Sequence, residues 1–160
     1  MISRLNRRRL IRLASKIVNN ETLLDEKCSD LNSASGAYNV FFKLTENWGV
    51  KVCRGSSHTN YIRQRRAWRF GCGPYCFGLM YVPSMDCYAY ITETVTVFTE
   101  VCKDQHSYNG GRQRTAKENH RTKHLVKKLE VKIGFEFGDN GNRNMGISGK
   151  MLVCIDFDNL

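Results

Sequence analysis

Near the C-terminus an acid, Asp139, is followed five positions later by an amide, Asn144, inside the run Gly138-Asp-Asn-Gly-Asn-Arg-Asn144. So dense a mixture of Gly, Asn and Asp is turn chemistry, because these residues accept left-handed backbone and bond their own main chain. A short apolar run follows, Met151 to Ile155, set off by Gly149 and Lys150, and it predicts a strand that delivers a second acid, Asp156. A loop acid can orient or deprotonate a hydroxyl, while an amide oxygen and a carboxylate are the donors that hold Mg²⁺ against a triphosphate. The same three residues also serve an ordinary turn and an ordinary strand end. The elements that would position them therefore decide which reading holds.

Upstream, residues 32–44 read as a small-residue turn containing Gly36 that feeds a β-rich run. Glu46 and Asn47 make a second turn, and Trp48 to Cys53 is a strand with Lys51 between two valines. A glycine at such a turn lets backbone approach a phosphate, and Lys51 would bring a point charge to the same group. Taken alone, Val-Lys-Val equally describes a solvent-facing lysine on a half-buried strand. Residues 58–70 have helical spacing and carry Arg63, Arg65, Arg66 and Arg69, and no acid occurs from Cys53 to Met85. That arginine cluster reads either as a docking surface for an acidic partner or as a solvated helix face.

Residues 76–82 and 88–97 form a second pair of predicted strands, joined by Pro83-Ser84-Met85-Asp86. Residues 103–119 are polar around Gly110-Gly111 and read as a loop. A helix is then expected over 120–133, with Leu125 and Leu129 on its apolar stripe and Gly134 as its end. At the other terminus, Leu10, Leu13, Ala14, Ile17 and Val18 recur at helical spacing over residues 4–18, with arginines on the opposite face. Asn19 and Asn20 stop that helix, and a second short one is expected over 21–31.

In this order the elements resemble those of the protein kinases, whose D-x-x-x-x-N catalytic loop precedes a strand and D-F-G. Asp139 to Asn144 matches the loop spacing, Phe137-Gly138-Asp139 stands where the family has H-R-D, and Asp156-Phe157-Asp158 stands in place of D-F-G. The short loop and its spacing look more like the compact kinase-like proteins of tailed bacteriophages and the small-molecule phosphotransferases. The resemblance implies an α+β, protein-kinase-like fold with a five-stranded antiparallel small lobe and a truncated large lobe of helix, catalytic loop and short hairpin. It implies one domain over 1–160, with a basic helical segment at 1–31, the small lobe at 32–100 and a minimal large lobe at 101–160. It further implies ATP and Mg²⁺ as cofactors, Asp139 and Lys51 as catalytic residues, and Asn144 and Asp156 as metal ligands. Gly36, Lys51, Glu93 and Thr94 would bind the nucleotide, the last two at the hinge. The glutamate that would pair with the lysine is missing from residues 58–70, and only one glycine of the phosphate-covering loop remains. These departures keep open a pseudokinase that binds and inhibits a host protein through its basic surface.

Composition narrows the classes further. The 160 residues have room for one core, and 25 Lys and Arg against 15 Asp and Glu give a net charge of +10. Such a balance attracts an anionic partner: nucleotide phosphates, an acidic protein face, or nucleic acid on charge alone. No apolar run approaches the roughly 20 residues of a membrane span, and there is no secretory leader pattern, so a cytoplasmic protein with no membrane partner is expected. Seven scattered cysteines, an odd number without a C-x-x-C pair, fit reduced thiols serving as small core residues. A dimer would be one way to complete a reduced large lobe.

Overall fold

The computed structural model describes residues 2–29, 39–53, 58–98, 115–134 and 144–157. It is an α+β protein, with two antiparallel sheets among the described residues, and the chain divides into two compact units: residues 1–61 with 76–94, and residues 62–75 with 95–160.

The first unit opens with helix α1 (Arg4–Val18), started by Ser3, whose hydroxyl accepts from the Asn6 amide at 3.2 Å, and stopped at Asn19. Its buried positions are Leu10, Ala14 and Val18, one turn apart, which is the stripe the spacing predicts. Helix α2 (Glu21–Ser29) follows directly. Strands β1 (Asn39–Lys43), β2 (Trp48–Cys53), β3 (Cys76–Val82) and β4 (Cys87–Glu93) form a sheet in the order β1-β2-β4-β3. Four strands are present among the described residues, against the five implied for a small lobe.

Both faces of this sheet are covered. Helix α1 packs on β2, β3 and β4, with the Arg7 guanidinium 4.7 Å above the Phe77 ring and the Ser15 hydroxyl 3.9 Å from the Met80 sulfur. On the opposite face Tyr61, in helix α3 (Thr59–Arg69), lies 5.5 Å from the Tyr90 ring and packs with Cys53 and Cys76. Double coverage is why β2 is buried at five consecutive positions after Trp48 and not at alternate ones. The link from β3 to β4 is one 3₁₀ turn (Pro83–Met85), closed by Asp86 at φ 44° and clasped by the Tyr81 hydroxyl donating to Asp86 at 2.7 Å.

The strand expected over residues 88–97 is broken. β4 stops at Glu93, and Thr96–Val97 forms β5 in a different sheet, paired with β6 (Met145–Ser148), which in turn pairs with β7 (Met151–Cys154). The amide of Thr94 turns to the Asn47 carbonyl (3.0 Å), which ends the β4 ladder. A single β-rich run cannot reveal such a break, because both halves have strand propensity.

In the second unit helix α4 spans Ala116–Ile133, starting before the expected residue 120. The cause is a capping box: the Thr115 hydroxyl accepts from the Glu118 amide (3.2 Å) while the Glu118 carboxylate accepts from the Thr115 amide (2.8 Å). Thr-Ala-Lys-Glu at 115–118 is the signal that places the start there. Gly134 ends the helix at φ 69°, a conformation that costs a residue with a Cβ about 1 kcal/mol or more. Leu125, Val126, Leu129 and Ile133 then meet Ala67, Cys72, Phe98, Met145, Cys154 and Phe157 in one core. No helix among the described residues is long and apolar enough to cross a membrane.

Candidate functional site

In the first unit the site begins with Lys51. Its Cα partners across the sheet are Phe41 on β1 and Tyr90 on β4, so its side chain shares the face that Tyr61 covers. It is 7% exposed, far from the solvent-facing lysine that Val-Lys-Val alone permits. An ammonium is costly to bury unless something compensates its charge.

The ring of Phe41 lies beside Lys51 and fills the space a side chain at Gly49 would need: a Cβ there would come within 2.0 Å of the ring. The ring is itself 42% exposed. An accessible aromatic surface thus flanks the lysine on one face of the sheet, a contact that the β1 pattern Asn-Val-Phe-Phe-Lys does not announce.

Glu93 and Thr94 lie at the end of β4. Trp48 pairs with Glu93, so the strand end is three residues along the ladder from Lys51, or about 10 Å. The Thr94 amide already donates to Asn47, so the group left for a ligand is the hydroxyl. Its oxygen is buried and has no hydrogen-bond partner among the described residues. An orphaned buried oxygen costs roughly 1–3 kcal/mol, which a bound polar edge would recover.

In the second unit the Ile155 amide donates to the Asn144 carbonyl at 2.9 Å, immediately outside the β6–β7 pairing. Hairpin closure therefore carries Asn144 and Asp156 to the same end of the two strands, both half-buried. A carboxylate and an amide oxygen are hard donors suited to Mg²⁺. Among the described residues no cluster of three or more His, Cys, Asp or Glu forms a metal cage, so these two donors would need others alongside them. An ion that retains several waters and binds phosphate oxygens tolerates so sparse a protein set.

The segment bearing Asp156 is held on both sides. The Cys154 thiol donates to the Asp156 carbonyl (3.0 Å), and the Arg63 guanidinium donates to the Phe157 carbonyl (3.2 Å). Phe157 is fully buried, close enough that a Cβ on Gly73 would stand 3.1 Å from its ring. Arg63 therefore does not belong to the exposed arginine surface considered above. It is half-buried, and its role as an anchor becomes visible only when α3 and the C-terminal segment are seen together.

Helix α3 presents no carboxylate. Its buried polar residues are Asn60 and Gln64, and the Gln64 amide donates to the Pro74 carbonyl (3.3 Å). The other two expected site residues, Gly36 and Asp139, lie outside the described residues. Lys51, Glu93 and Thr94 belong to one unit, and Asn144 and Asp156 to the other.

No family model matches this chain, and neither any curated protein nor any solved structure does.

Proposed function

We propose that the protein is an ATP- and Mg²⁺-dependent phosphotransferase of protein-kinase-like build, acting on protein hydroxyls. The observation that carries this reading is the main-chain hydrogen bond from Ile155 to Asn144, which brings Asn144 and the segment bearing Asp156 to one end of a hairpin. The buried Lys51, on the strand paired with the one that ends at Glu93 just before the orphaned hydroxyl of Thr94, supports it independently. Lys51 grips the α and β phosphates, Glu93 and Thr94 meet the adenine edge, and Gly36 lets the covering turn approach. Asn144 and Asp156 hold Mg²⁺, which when bound neutralises charge on the phosphates. Asp139 orients the attacking hydroxyl or takes its proton.

The test is a thermal shift with ATP and Mg²⁺ followed by an autophosphorylation assay. Lys51→Met and Asp156→Ala should abolish the shift, whereas Asp139→Ala should keep it and lose turnover. An unchanged melting temperature at millimolar ATP and Mg²⁺ would sink the proposal.

A second reading has one observation in its favour. Helix α3 carries no carboxylate that could pair with a lysine, which fits a catalytically weak protein that binds and inhibits a host protein. Nucleotide binding without ADP release, together with partner inhibition that survives Asp139→Ala, would select it.

A further inference from the structure

Helix α3 carries its arginines beside exposed rings. Arg65, Arg66 and Arg69 are exposed, and the helix has no acidic residue. Trp68 is 44% exposed, with its ring 4.8 Å from that of Tyr75, and Phe70 is 38% exposed just past the helix end. Isolated exposed aromatics need no explanation, but two of them flanked by guanidinium groups form a surface with both charge and π-faces.

Helix α4 extends this surface. Lys117, Arg121, His124 and Lys128 are all exposed and fall at intervals of four, three and four residues, one stripe about 16 Å long. At its end the Lys128 ammonium donates to the Phe70 carbonyl at 2.6 Å, joining the stripe to the C-terminal end of α3. The acids of α4 stay off it: Glu118 is spent in the capping box, and Glu130 is half-buried on another face.

We infer that this surface binds single-stranded nucleic acid without strong sequence preference. Phosphates run along the cations of α3 and α4 while bases stack on Trp68 and Phe70, the combination of electrostatic track and aromatic platform that such ligands use. Charge alone does not single out the surface, because α1 also exposes Arg4, Arg8, Arg9, Arg12 and Lys16. There, however, the exposed apolar residues are the aliphatic Leu5 and Ile11, on which no base can stack. The rings favour a nucleic acid over an acidic protein. The inference is independent of the phosphotransferase reading, whose residues it does not use.

The test is fluorescence anisotropy with a labelled oligothymidylate of about 20 nucleotides, titrated at salt from about 50 to 200 mM. Binding at low salt is expected, falling steeply as salt rises. Arg66→Ala with Arg69→Ala should reduce the log–log salt slope by about 1.4. Trp68→Ala should weaken binding about tenfold with the slope unchanged, and Trp68→Phe should restore most of the affinity. Arg8→Ala with Arg12→Ala should cost much less than the α3 pair. Circular dichroism confirms that each variant is folded. The inference is overturned by absence of binding at low salt, by a folded Trp68→Ala variant that binds like the parent, by an equal loss from the α1 pair, or by polyglutamate competing as well as the oligonucleotide.

Discussion

The guanidinium of Arg63 donates to the main-chain carbonyl of Phe157 at 3.2 Å, so a cation on α3 holds the backbone immediately after Asp156. A hydrogen bond from a charged donor contributes about 1.5–3 kcal/mol. Arg63→Ala should reduce the unfolding free energy by that order, read as a lower urea midpoint, and Arg63→Lys should recover part of it. Phe157→Ala, which empties a fully buried ring site, should cost more, about 3–5 kcal/mol. If Arg63→Ala leaves the midpoint unchanged, the anchor is not real.

Gly146 lets β5 lie against β6. A Cβ there would stand 2.4 Å from a Val95 methyl and 2.7 Å from the Thr96 carbonyl oxygen, and a backbone atom cannot swing aside. Gly146→Ala is expected to destabilise by about 1–3 kcal/mol through this overpacking. Gly71 is the informative comparison: nothing lies within 4 Å of its would-be Cβ, but its φ is +67°. Gly71→Ala should cost only the left-handed strain, about 1–2 kcal/mol. Equal denaturation midpoints for parent and Gly146→Ala would contradict the close approach.

Burial pushes the Cys72 thiol above its ordinary value, and the nearby Lys128 ammonium pulls it part of the way back. The folded thiol keeps its proton to higher pH than the unfolded one, so above the unfolded range of about 8.5 the folded state binds more protons. The stabilisation is complete below that pH and is lost as pH rises towards the folded value. The denaturation midpoint should therefore decline above about pH 8.5, and Cys72→Ala should flatten part of the decline. Identical pH slopes for parent and variant would refute it.

Gly49→Ala should displace the Phe41 ring, since a methyl group would overlap it. The ring is 42% exposed and can swing outward, so the stability cost should stay below about 1 kcal/mol. On the proposed function, nucleotide binding changes more than stability does. Thermal shifts with and without ATP and Mg²⁺ separate the two, and a large loss of stability with binding intact would reverse this ranking.

Much of the fold could be read from local pattern. The helix at Arg4–Val18, the strand at Trp48–Cys53 and the strand at Cys76–Val82 fall where periodicity and turn residues predict, because each element carries its own apolar stripe and its own stop signal. The earlier start of α4 was also legible in Thr115 and Glu118, had the capping box outweighed the polarity of the segment. Nothing comparable marks Glu93–Thr94. A strand that leaves its sheet looks locally like one that continues, since only the available partners differ.

By itself the sequence determined the element types, the excess of positive charge, and the order in which a lysine, a loop amide and a strand-end acid occur. Only the tertiary structure decided that Lys51 is buried, that Arg63 turns inward to Phe157 while Arg66 and Arg69 stay outside, and that the Asn144 main chain is bonded to Ile155, next to Asp156 in the chain. The reason is physical: periodicity reports which side of an element is apolar. What covers that side, and which polar atom meets which across many residues of chain, depends on packing between elements far apart in sequence.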